Sequence, residues 1–144
     1  MFPIFLAQLI GWIAVAIACI AAAWRGERPE RLGAVLITGA WALTALVERR
    51  NNWLEPQYGI LAVDTATFIG LAAIAFVFRR AWAICAASFQ AVAVLTHVAF
   101  LIDPAILYRA YYMANFSIGF LLLGAVVGGV LLESARSPLS RRLR

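Results

Sequence analysis

PQYGILAVDTATFIGLAAIAFVFRRAWAICAASFQAVAVLTHVAFL, residues Pro56–Leu101, decides the fold. It holds two apolar runs with only Arg79 and Arg80 between them. Each run is long enough, at ~1.5 Å per residue of helix, to cross a hydrocarbon core of ~30 Å. A chain that reverses over two arginines must lay the runs side by side as an antiparallel hairpin. Spans are therefore predicted over about 56–78 and 81–101. Each buries one ionisable residue: Asp64 in the first, and His97, the sole histidine, in the second.

The rest of the chain has the same character. Its 144 residues are 65% apolar and 13% charged, with a mean hydropathy of +0.90. A soluble domain is roughly half apolar and about a quarter charged. A core this small cannot hide the excess, so the chain reads as one all-α integral membrane domain over 1–133. The net charge of +5 comes from arginine without any lysine. Cys19 and Cys85 lie inside apolar runs and read as small packing residues, not as a disulfide framework.

Before the hairpin, a first span is predicted over about 3–24, with Ala14, Ala18 and Ala22 as a small-residue seam for close packing. No basic segment precedes it, which argues against a cleaved signal. Arg25–Glu30 is a polar turn, with Gly26 and Pro29 read as breakers, and a second span covers about 31–48. A polar connection from Glu48 to Gly59 carries Trp53 and Tyr58, aromatics suited to the headgroup level. After the hairpin, Asp103-Pro104 is a helix start, with an acid at the N-cap and proline at the first position. A short interfacial helix over 104–112, with Tyr108, Tyr111 and Tyr112 as its aromatic belt, leads into a fifth span over 113–132. Gly124 and Gly128 give a GxxxG spacing, Gly129 follows, and all three read as helix-packing residues. Residues 134–144 read as a basic, mobile cytoplasmic tail.

Five spans put the termini on opposite sides. Arg25, Arg28, Arg31, Arg79, Arg80, Arg136, Arg141, Arg142 and Arg144 share one side; Arg49, Arg50 and Arg109 share the other. Arginine accumulates on the cytoplasmic side of short loops, so the N-terminus is expected outside and the C-terminus inside. The basic excess is thereby a topology signal, and nucleic acid is not an expected partner. Alanine- and arginine-rich, lysine-free usage suggests a GC-rich genome, and the bundle is expected in a bacterial-type inner membrane. The expected partners are the lipid bilayer and either further copies or a larger membrane complex.

Polar residues gather toward the outer end. Asp64, His97, Glu48, Gln90, Asp103 and Asn115 are the candidates for ligand or proton handling. Ionisable side chains inside spans are costly, so they face the bundle interior and pair. Arg49, Arg50, Asn51, Asn52 and Arg109 are candidates for holding an anion or a partner. His97 with Asp64 and Glu48 would make a mixed N/O metal set. No ligand spacing repeats, so no cofactor is predicted, although a metal or pigment on the single histidine stays open. No GxSxG marks a hydrolase. The leading reading is a non-enzymatic membrane subunit or self-associating component with an outer polar pocket. A small solute or ion carrier using Asp64 and His97 is the alternative, and a membrane enzyme or cofactor binder comes third. The orientation is tested by fusions after Arg144: alkaline phosphatase should be inactive there and a green fluorescent protein should fluoresce, and the reverse pattern overturns it.

Overall fold

The computed structural model describes residues 2–48, 57–103 and 108–142. They form five α-helices and, among the described residues, no strand: α1 (Phe2–Arg25), α2 (Arg28–Val47), α3 (Tyr58–Phe78), α4 (Ala81–Ile102) and α5 (Tyr108–Arg142). All five are long and apolar enough to cross a membrane. Each helix packs on its neighbours in sequence, and α1 also packs on α5, which closes a ring. A further contact between α2 and α5 crosses the middle of the ring. Large apolar side chains such as Ile17, Leu46, Phe76, Leu95 and Leu131 point outward, where lipid would meet them.

The helices meet along seams spaced three and four residues apart. The buried positions on α4 are Trp82, Ala83, Ala86, Ala87, Gln90, Ala93, His97 and Phe100. On α3 they are Thr67, Leu71 and Ile74, in line with Asp64 one step toward the N-terminus. On α1 the seam runs through Gly11, Val15, Ala18 and Ala22. Such spacing puts every member on one face, and small members let backbones approach closely.

Two tryptophans wedge the seams together. The Trp82 indole on α4 lies over Gly33 of α2 and Gly129 of α5. A Cβ added at either glycine would stand 2.6 or 2.5 Å from its ring atoms. Trp41 on α2 fills the matching slot between Gly11 of α1 and Gly119 of α5, where an added Cβ would meet its ring at 2.5 and 3.1 Å. Trp82 Nε1 donates to Glu30 Oε1 at 2.7 Å, and the Glu27 amide donates to Glu30 Oε2 at 2.9 Å. Both oxygens of this fully buried carboxylate are thus occupied. Arg80 pairs with Glu27 beside them.

The structure corrects several boundaries. Pro29 does not break a helix; it starts one, since α2 begins at Arg28 behind the N-cap Glu27. A missing N–H costs nothing in the first turn. The helix expected to be interfacial is not separate from the span. Tyr108 onward belongs to one rod, and 104–107 lie outside the described residues. Nor is the tail irregular as far as Arg142, because α5 continues through it and runs about 50 Å. The hairpin closes on Arg79 in the left-handed conformation (φ 52, ψ 41), its N–H donating to Ala75 O at 2.9 Å. A side chain there costs roughly 1–2 kcal/mol.

Of the three glycines proposed for packing, only Gly129 abuts a side chain. A Cβ at Gly124 or Gly128 meets nothing within 4 Å. Gly129→Ala should therefore lower stability by about 1–3 kcal/mol through overpacking against Trp82. Gly128→Ala should leave the monomer's melting temperature unchanged or raised. Melts of both variants in one detergent check this, and equal destabilisation would remove the wedge from the account.

Candidate functional site

The tight α3–α4 hairpin brings Asp64, two turns into α3, level with His97 near the end of α4. His97 Nε2 lies 2.8 Å from Asp64 Oδ2. Gln90, two turns earlier on the same face of α4, donates from Nε2 to Asp64 Oδ1 at 2.9 Å and to the Asp64 carbonyl at 3.2 Å. Both carboxylate oxygens are therefore engaged by α4. The other ring nitrogen of His97, Nδ1, lies 2.6 Å from the Tyr111 hydroxyl on α5. Phe100 stacks on the Tyr111 ring at 4.9 Å. Gln90 and His97 are only 2% and 4% exposed, whereas the Asp64 side chain is 19% exposed.

The chain of bonds implies where the hydrogens sit. A carboxylate accepts only, so His97 donates from Nε2. The Tyr111 hydroxyl then donates to the lone pair on Nδ1. The trio thus engages both ring nitrogens of His97. It has the logic of an acid–histidine–hydroxyl triad, with a phenol in the hydroxyl position. His97 can accept the phenolic proton, and Asp64 steadies the imidazolium that results.

Beside the trio lies a pocket of about 210 Å³. α1 contributes Gln8 and Trp12; α2 contributes Trp41, Thr44 and Glu48. Asp64 and His97 form the wall from the hairpin, and α5 adds Tyr111, Tyr112, Asn115 and Phe116. Asn115 is fixed by donating to the Tyr111 carbonyl at 3.0 Å and by accepting from Thr96 at 3.1 Å. Thr65 and Thr67 return their hydroxyl hydrogens to their own helix, at Leu61 O and Val63 O, and take no part.

Asp64, His97, Gln90, Glu48 and Asn115 thus converge at one end of the bundle. Asp103 is exposed at the end of α4 and does not line the pocket, and Arg109 is exposed on α5. Arg49, Arg50, Asn51, Asn52 and Trp53 lie outside the described residues, as does the Tyr108 side chain. Tyr58 is exposed at the start of α3. Tyr111 is not an anchor: it is buried and bonded to His97, and Tyr112 faces the pocket. Among the described residues, no three His, Cys, Asp or Glu side chains are placed to hold a metal ion.

No protein-family model, curated protein or solved structure matches the chain. The site is read from its own geometry.

Three participants escaped the sequence reading: Tyr111, Trp12 and Trp41. Tyr111 looked like one of a cluster of tyrosines at the membrane surface. Its one distinguishing signal is the spacing to Asn115 and Ile118, which places it on the buried face of α5. Because His97 is the only histidine, ¹⁵N spectra of histidine-labelled protein report this ring without overlap. Nε2 should appear protonated and Nδ1 unprotonated. Tyr111→Phe should shift the Nδ1 resonance and cost about 0.6–1.7 kcal/mol, the range of hydrogen bonds between helices in membranes. An Nδ1 resonance that ignores the change would break the chain at its second link.

Proposed function

We propose that this chain is a small multi-pass component of a bacterial-type inner membrane, and that its working part is a ligand pocket at the non-cytoplasmic end of the bundle. The observation that carries this reading is the unbroken Asp64–His97–Tyr111 chain, drawn from three helices, along the wall of a cavity. Structural hydrogen bonds between helices need no cavity beside them. A carboxylate and an imidazole beside open space point to a bound molecule or a transferred proton.

Binding is favoured over transport because the other half of the bundle is closely packed. Leu71, Ala83, Ala86 and Val126 are fully buried there, and Trp82 and Glu30 fill its end. A carrier needs a polar route through both halves. The arginine distribution supports placing the pocket outside. Gly124 and Gly128, open on the outer face of α5, support association with a second helix, either from another copy or from a larger complex. One observation favours an acid–base role as a second reading: His97 Nδ1 meets a phenolic hydroxyl at the pocket wall, so Tyr111 is placed to give or take a proton from what binds.

The test is native mass spectrometry of the gently solubilised protein beside Asp64→Asn and His97→Ala. The parent should carry a bound small molecule, and both variants should lose it while still melting cooperatively. A species that survives both changes would place the ligand elsewhere, and variants that lose only stability would make the trio a structural tie.

A further inference from the structure

Two carboxylates line the pocket, Asp64 and Glu48, and among the described residues no lysine or arginine does. The one basic side chain in the wall, His97, has both ring nitrogens engaged inside the protein, Nε2 by Asp64 and Nδ1 by the Tyr111 hydroxyl.

The apolar part of the lining is mostly aromatic. Trp12 and Trp41 meet edge to face, with centroids 6.1 Å apart and planes at 73°. On α5, Tyr112 and Phe116 lie nearly parallel at 11°, also 6.1 Å apart. All four line the cavity. Ring faces attract cations, tryptophan most strongly, and the attraction grows when water is displaced. Carboxylates together with ring faces suit a positive charge that is weakly hydrated and partly apolar.

A metal ion does not meet that description. It needs several oxygen or nitrogen ligands at short range, and the described His, Cys, Asp and Glu side chains supply no such group. An anion would meet two carboxylates. A neutral apolar molecule would leave those carboxylates with no partner in the ligand. The cavity offers about 210 Å³. That holds a methylated ammonium group with a short chain.

Resting on the reading of this cavity as a ligand site, we infer that its ligand is a small organic ammonium cation, held by Asp64 and Glu48 and by the aromatic wall of Trp12, Trp41, Tyr112 and Phe116.

Choline and its uncharged isostere 3,3-dimethylbutan-1-ol test this, because the two have one shape and differ in charge. Each is titrated into the full chain in a non-ionic maltoside detergent, read by quenching of tryptophan fluorescence and by melting temperature. Choline should bind with a Kd on the order of 1 mM or tighter, and at least about tenfold tighter than the alcohol. Glu48→Gln, at a partly exposed helix end, and Asp64→Asn should each remove most of that preference. Phe116→Leu should weaken choline severalfold and keep the fold. Equal binding of the two probes overturns the inference and leaves the pocket as a ligand site of another kind. Absence of binding by both, with a cooperative melt, also overturns it, while the mass measurement on the parent protein still reports independently whether the cavity holds anything. A choline preference undiminished in both carboxylate variants counts against it as well.

Discussion

Trp82 lies where it does because Gly33 and Gly129 have no side chain to fill the space. That contact ties α2, α4 and α5 together at one end of the bundle and requires an acceptor for the indole N–H. Glu30 is that acceptor, and it is held in turn by the Glu27 amide. At the other level Trp41 ties α1, α2 and α5 in the same way. In lipid there is little hydrophobic force between helices. Shape must hold them, and a large ring in a slot made by two glycines provides contact on both faces. With the helices located by these two wedges, their rotation is set, and with it which residues of each seam look inward.

The polar end follows from that rotation. The same seams that carry alanine and leucine in one half carry Glu48, Asp64, His97, Tyr111 and Asn115 in the other. A carboxylate turned toward the acyl chains would cost about 2.5–3.5 kcal/mol at the bilayer centre. Turned inward it receives one hydrogen bond from His97 and one from Gln90. The bonds are individually worth little, but each satisfies a donor or acceptor that burial would otherwise leave unmet, which is the larger effect.

Much of this was legible in the chain. Five helices, the hairpin at Arg79 and Arg80 and the gathering of polar residues at one end follow from hydropathy and spacing. Asp64 and His97 could be put at one depth because only two residues separate their helices. Tyr111 could not be joined to them, since that contact depends on how α5 is rotated, and its rotation depends on Trp82 meeting Gly129. Nothing in a pattern of apolar residues says which glycine will receive a ring: Gly124 and Gly128 had the more familiar spacing, yet Gly129 is the one occupied. Pro29 was misread because a proline starts a helix as readily as it ends one, and only the Glu27–Glu30 bond distinguishes the two.

The ring of helices closes between α1 and α5, and this sets an order of assembly. α1 to α4 can enter the bilayer and pair in sequence as they are made, but α1 keeps one flank uncovered until α5 arrives. Tyr111, Tyr112, Asn115 and Phe116 arrive with it. During synthesis, then, the buried imidazole waits without its phenol and the cavity lacks a wall. The cavity wall and the bond to His97 are completed by the last of the five helices, so a chain ending before α5 would lack both.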